Sequence, residues 1–264
     1  MKNEPLLPHI RPSTKNRIRK YIYIATFLIA IFLLYRSLSS KSDKNPQKMG
    51  RISDTMSGEE INTFTDNRVK PSEHGNVVKI DLYVESQCPD TSRFFRQQLS
   101  KMWDLLGGSS RIELSITPFG KARCVEENDD FKCQCQHGPR ECEINQLQNC
   151  IIDRVGFAAK FVPAVLCMQG KHSLEEALKC VETVLPGETN RMRECASGPR
   201  GRRLLALSGQ RTAALQPRIE FIPWIMINGQ RNSDALYDLT QNVCQAMAPR
   251  SPPCKEYLKA LNLV

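Results

Sequence analysis

The sequence predicts an α/β domain with a long, disulfide-rich, mainly helical insertion, carried behind an N-terminal transmembrane helix. Three observations predict it. A strand, a cysteine and a helix follow one another from Val77 to Leu106, and a proline-led apolar strand and a further helix return after residue 217. Ten of the eleven cysteines fall from Cys124 to Cys254, a density that belongs to a disulfide framework in an oxidising compartment.

The N-terminus explains how the chain reaches such a compartment. Tyr21 to Tyr35 form an unbroken apolar run preceded by Arg11, Lys15, Arg17, Arg19 and Lys20. Positive charge ahead of an apolar run keeps the N-terminus cytoplasmic and sends the remainder across the membrane. Extension to Leu38, with Arg36 snorkelling to the interface, makes residues 21–38 a signal anchor behind a cytoplasmic leader, residues 1–20. The alternative is a cleaved signal peptide, which would make the product secreted. Either way the globular part is lumenal or extracellular. Residues 39–75 are polar and poor in large apolar side chains, which reads as a flexible stem.

The formal charge of +9 resides in the same region: residues 1–51 hold 11 basic and 2 acidic side chains, residues 52–264 hold 26 of each. A neutral globular part has no general electrostatic reason to bind a phosphate backbone, so nucleic acid is excluded as a partner.

The folded region, residues 76–254, opens on Val78, Ile80, Leu82 and Val84, which alternate with more polar neighbours and predict a strand. Cys88 and Pro89 follow, and then Phe94, Phe95, Leu99, Met102, Leu105 and Leu106 recur at helical spacing up to Gly107-Gly108, placed to end the helix in glycine-tolerant angles. Arg111 to Phe119 gives a second strand. Much later, Phe221 to Ile227 is a short apolar strand with Pro223 at its start and an Asn228-Gly229 turn after it, and Asp234 to Met247 supplies a closing helix. That order is the order of a thioredoxin-like domain. Residues 120–217 are too many for a connection and are read as an inserted, largely helical subdomain, in which Arg200 to Arg211 forms a helix with a solvated basic face. Residues 255–264 are read as a C-terminal tail.

Cys88 sits where a strand turns into a helix. A helix N-terminus presents unpaired N–H groups and a partial positive charge, which favour thiolate over thiol and make the sulfur a nucleophile. Thr91 stands where a dithiol motif carries its second cysteine; its hydroxyl can donate a hydrogen bond to the thiolate but cannot resolve a mixed disulfide. The remaining cysteines, Cys124, Cys133, Cys135, Cys142, Cys150, Cys167, Cys180, Cys195, Cys244 and Cys254, can form five bridges whose connectivity is not legible in spacing. That count leaves Cys88 as the odd thiol. Cys133, Cys135, His137 and Cys142 are side chains of the type zinc uses, but their spacing is irregular and the compartment favours bridges, so no metal is assigned. His137 is read as a hydrogen-bonded loop residue without an evident charged partner.

The most specific string is Cys135-Gln136-His137-Gly138-Pro139-Arg140-Glu141-Cys142, continuing through Asn145 to Cys150: the pattern C-Q-H-G-x-x-E-C-x-x-N-x-x-x-x-C. On it the chain resembles the gamma-interferon-inducible lysosomal thiol reductase family over roughly Val77 to Cys254. The resemblance implies a thioredoxin-like fold, reduction of disulfides in protein substrates, and an endosomal or lysosomal setting. It aligns Cys88 with the first active cysteine and Pro223 with a cis-proline beside it. Thr91 departs from the family's C-x-x-C, so the expected chemistry is that of a single nucleophile released by an external small-molecule or protein thiol, with no cofactor. The alternative is a non-catalytic lumenal or extracellular binding protein that retains the fold.

Overall fold

The computed structural model describes Thr26 and residues 74–263 of the chain. The leader, the apolar span at residues 21–38 and the stem therefore lie outside the described residues, apart from Thr26 and the stem's last two positions. Among the described residues, no helix is long and apolar enough to cross a membrane.

The central strand, β1 (Val78–Val84), buries Val78, Ile80, Leu82 and Val84 and turns Lys79, Asp81 and Tyr83 outward, the period-2 alternation of a pleated strand. Helix α1 follows, residues 89–106, and carries the chain to β2 (Ile112–Pro118), which pairs parallel to β1 from Val78↔Ile112 to Val84↔Pro118. A parallel pair requires such a crossover. α1 contains a π turn at Phe95–Leu99, which adds a residue to the turn and rotates the face that follows. Met102 and Leu106 are buried as the apolar spacing predicts, whereas Leu105 is 40% exposed. Gly107 ends the helix in right-handed geometry, φ −64°, so positive φ is not why glycine stands there. A β-carbon at that position would lie 2.4 Å from the Trp103 ring; close packing is the reason.

The inserted part begins with an antiparallel hairpin that the sequence reading did not predict, β3 (Arg123–Glu127) and β4 (Asp130–Gln134). Asn128 and Asp129 turn it, both at positive φ, a conformation that Asn and Asp accept more readily than most side chains. Five helices follow: α2 (Pro139–Val155), α3 (Ala158–Met168), α4 (Leu174–Val184), α5 (Thr189–Ser197) and α6 (Pro199–Ala213). α2 begins on Gly138 and ends on Gly156 in the left-handed region, φ 66°. Ile144, Leu147 and Ile151 line its apolar face, but Glu141, Asn145, Gln148 and Asn149 are buried as well. Both Asn149 side-chain polar atoms are hydrogen-bonded, whereas Gln148 Nε2 and Oε1 and Asn145 Nδ2 are buried without a partner. The Asn149 amide donates to the Pro118 carbonyl at 2.8 Å, and its Oδ1 accepts from the Ser208 hydroxyl at 2.6 Å, tying α2 to β2 and α6. On α6, Arg202 pairs with Asp130 of the hairpin, a guanidinium contact that holds the Asp130 carboxyl below its ordinary range.

The chain returns through β5 (Trp224–Ile227), antiparallel to β1, and β6 (Gln230–Arg231), joined by the positive-φ pair Asn228-Gly229. The sheet order is β2-β1-β5-β6. The closing helix is shorter than predicted. Asp234–Leu236 forms a 3-10 turn, and α7 (Leu239–Ala246) starts after Asp238, whose carboxylate accepts from the Gln241 N–H at 2.8 Å and caps it. Of the residues expected as a tail, 255–260 belong to α8 (Pro252–Ala260): Leu258 is buried in the core and Cys254 is bridged to Cys244, so apolar contact and a cross-link hold this segment in the domain.

Candidate active site

Between β1 and α1 the chain makes a tight passage, Glu85-Ser86-Gln87-Cys88. Cys88 is the residue before the first helical position, with extended backbone, φ −64° and ψ 124°. Its carbonyl accepts from both the N–H and the hydroxyl of Ser92, each at 3.0 Å, so the first turn closes on Cys88 while its sulfur stays out of the helix-capping bonds. Pro89 takes the next position, where an N–H would have no intrahelical acceptor. Cys88 is 8% exposed, and its thiol points to the Ile222 carbonyl oxygen, 3.9 Å away. The Ile222–Pro223 peptide is cis. Apolar pairing of β1 with β5 brings two segments 134 residues apart to this point.

Among the described residues Cys88 is the free cysteine. The other ten pair as Cys124–Cys133, Cys135–Cys142, Cys150–Cys195, Cys167–Cys180 and Cys244–Cys254. The zinc-type group of Cys133, Cys135, His137 and Cys142 is thereby dissolved into two different bridges. Thr91 is fully buried one helical turn beyond Cys88, and its Oγ1 has no hydrogen-bond partner. The bond from Thr91 to the Cys88 sulfur that the sequence suggested is not formed, because the thiol is directed to Ile222.

Beside Pro223 lies a cavity of about 400 Å³ lined by Asp90, Arg93, Phe94, Phe221 and Tyr237 among others. Tyr237 is 82% exposed and Phe221 40%, so apolar ring surface stands open in this cavity. Arg231 lies over Trp224 at 4.2 Å and over Phe221 at 5.0 Å, a cation–π stack that fixes the wall. Cys88 borders this cavity through its neighbours Asp90 and Pro223 rather than lining it.

The signature residues hold the nucleophile's loop from behind. Asn145 Oδ1 accepts from the Ser86 N–H at 2.9 Å, the Glu141 carbonyl accepts from the Ser86 hydroxyl at 3.2 Å, and Glu141 Oε2 accepts from the Gln87 N–H at 3.4 Å. The turn after α3 completes the clamp: Gly170 N–H donates to the Ser86 carbonyl at 2.8 Å, and the Gln169 amide donates to the Glu85 carbonyl at 2.8 Å. The Cys135–Cys142 bridge closes the turn bearing His137, Gly138 starts α2 at φ 94°, Gln136 is exposed, and Cys150 is bridged to α5. His137 is not the lone loop histidine of the sequence reading. Its Nδ1 lies 2.6 Å from Glu141 Oε2 and 3.5 Å from Glu85 Oε2. Glu85, which sequence reasoning missed, is buried, and burial raises its carboxyl above the ordinary range. The Lys121 N–H opposes that rise, Glu141 adds to it, and His137 counters it. The available signal was a carboxylate at the end of an apolar strand, three residues before the cysteine.

Changing Asn145 to Ala removes the acceptor of the buried Ser86 N–H. The expected cost is about 1–3 kcal/mol. A thermal or urea unfolding curve measures it, and unchanged stability would mean that α2 does not hold this loop.

A buried strand that turns into a helix at a free thiol, with a cis-proline facing that thiol, defines a thioredoxin-fold protein of the thiol–disulfide class. The fold agrees with the crystal structure of Chlamydia trachomatis DsbA, at a TM-score of 0.50 and 11% identity over 73% of this chain and 96% of that one. The sequence model described as Gamma interferon inducible lysosomal thiol reductase (GILT) matches residues 79–184. A GILT-like protein of Caenorhabditis elegans is 64% identical over 259 residues, covering 98% of this chain and 78% of that protein. The gamma-interferon-inducible lysosomal thiol reductase of Carassius auratus is 32% identical over 189 residues, 69% of this chain and 74% of that protein. The chain belongs to the GILT family.

Proposed function

We propose that the chain is a thiol oxidoreductase acting on disulfide bonds of protein substrates through Cys88 alone. The observation that carries this reading is the Cys88 thiol at the start of α1, unbridged and facing the Ile222–Pro223 peptide, while the ten other cysteines are bonded. In the first step the Cys88 thiolate attacks one sulfur of the substrate disulfide, forming a mixed disulfide and releasing the other sulfur as a thiolate that takes up a proton. Thr91 cannot attack in turn. An external thiol therefore displaces the substrate from Cys88, and a second equivalent restores Cys88 and leaves as the oxidised dimer, so that one substrate disulfide is reduced for two thiols oxidised. A second substrate cysteine can instead resolve the adduct, giving isomerisation with no net change in oxidation state. Pro223 and the open cavity beside it would receive the substrate segment flanking the attacked sulfur.

The five bridges favour an oxidising compartment, endosomal, lysosomal or elsewhere in the secretory pathway. The apolar residues 21–38 and their basic flank support a single-pass anchor that leaves the domain on the lumenal or extracellular side. The second reading, a non-catalytic binding protein, draws on Thr91 standing in place of a resolving cysteine.

Acid quenching and alkylation of cells expressing the chain, followed by non-reducing separation and mass mapping, should recover mixed disulfides at Cys88 in the wild type and none in Cys88→Ser. Turnover of a disulfide protein should depend on an added small thiol. Equal recovery from both chains, or wild type without adducts and without turnover, would leave the binding reading.

A further inference from the structure

We propose that Glu85, His137 and Glu141 bind one divalent cation of the zinc type behind the nucleophile's loop. Glu85 Oε2, His137 Nδ1 and Glu141 Oε2 bring together the end of β1, the turn closed by the Cys135–Cys142 bridge, and the first turn of α2. One potential ligand atom from each residue lies within 4.8 Å of the other two. The spacing suits a small ion. Tetrahedral zinc, with bonds of about 2.0–2.1 Å, separates its ligand atoms by about 3.4 Å. The Glu85–His137 separation of 3.5 Å already matches. The His137–Glu141 separation of 2.6 Å would open to that value by a small rotation of the imidazole, which is 31% exposed.

The independent observation lies on Glu85. Its side chain is 1% exposed; Oε1 accepts from the Lys121 N–H at 2.7 Å, yet Oε2 is buried without a hydrogen bond and is directed at the imidazole. A buried carboxylate oxygen without a hydrogen-bond donor is costly unless a charge meets it. The charge balance points the same way. Two carboxylates, each at most 1% exposed, share one histidine, and among the described residues no Lys or Arg side chain forms an ion pair with either. The backbone N–H groups of Lys121, His137 and Gln87 orient the carboxylates, and the Lys121 ammonium acts on Glu85 only from beyond ion-pair distance. A divalent ion would neutralise both, while the exposed histidine leaves a side open for water ligands and for entry.

The donor set also selects the ion. One imidazole nitrogen and two carboxylate oxygens suit zinc and its neighbours in the transition series, whereas calcium and magnesium prefer all-oxygen shells of six or more ligands. No cysteine takes part, since Cys135 and Cys142 are bonded to each other.

The test uses the full chain carrying Cys88→Ser, so that the free thiol cannot hold metal. Zinc chloride titrated at neutral pH against a chromophoric chelator should show one tight equivalent per chain, undiminished by excess calcium or magnesium. Glu85→Gln and His137→Asn should each weaken that binding at least tenfold. In the parent chain, which needs no substitution at the site to fold, zinc should protect the His137 ring from acylation by diethyl pyrocarbonate. Absence of a stoichiometric equivalent, affinity in either substituted chain equal to that of the parent chain, or an unprotected His137 would each overturn the proposal.

Discussion

Replacing Thr91 by cysteine should convert long-lived Cys88 adducts into short-lived ones. The position is one helical turn beyond Cys88 and fully buried, and its present hydroxyl makes no hydrogen bond that the substitution would forfeit. Side chains three apart on a helix have their β-carbons about 5–6 Å apart, near enough for a modest adjustment of the first turn to close a bridge. The new thiol attacks the Cys88 sulfur of the mixed disulfide, releases the reduced substrate, and leaves Cys88 bridged to the introduced cysteine in a disulfide that an external dithiol can reopen. Intramolecular attack replaces a bimolecular step, so adduct lifetime should fall by roughly tenfold or more at low thiol concentration. Quenched-flow alkylation against added glutathione measures it. A lifetime in Thr91→Cys that still scales with external thiol as in the wild type would show that position 91 cannot reach the adduct.

A larger effect on stability is expected from removing the Cys150–Cys195 bridge. It ties α2 to α5 across a sequence separation of 45 residues, the longest of the five. Closing loops of about 15 and 100 residues is worth roughly 3 and 4.7 kcal/mol, so this bridge contributes about 4 kcal/mol. The double change to Ala should lower the urea midpoint accordingly. The reduced domain should also expose Ser86 to faster amide exchange, because α2 carries both the cross-link and the acceptor, Asn145, that holds the Ser86 N–H. A shift below about 1 kcal/mol would mean that packing around Ile144 and Leu147 holds α2 without the bridge.

Much of the frame was legible because it is written in local patterns. The alternation from Val78 to Val84, the helical spacing from Phe94 onward and the Asn228-Gly229 turn each specify a neighbourhood of a few residues, and the sheet follows from them. The limits are physical too. Leu105 lies one position off the buried series Phe95, Leu99, Met102 and Leu106, and with two leucines side by side the spacing does not say which of them faces the core. The hairpin at Asn128-Asp129 was missed although two turn-forming side chains stand at its tip. The bridge partners and the contacts of Glu85 were invisible for a different reason: Gln87 meets Glu141 across 54 positions, and a pairing at that distance is decided by how helices pack, not by the intervening residues. The eight signature residues announced a family before any contact explained them, and the explanation is that several of them form the rear support of the Cys88 loop.

The placement of the five bridges carries a consequence for how such a chain survives its own milieu. Cys150, Cys180, Cys244 and Cys254 lie at 3% exposure or less, while Cys124 and Cys133 are half-buried on the hairpin and Cys167 faces solvent. Thiol exchange requires an attacking sulfur to arrive, so shielding protects a cross-link regardless of how strongly the medium reduces. The proposed reaction needs thiols in the medium, and these should open first the bridges that have a solvent-facing or half-buried sulfur, Cys167–Cys180 and Cys124–Cys133, and last Cys244–Cys254, whose two sulfurs are kinetically secluded.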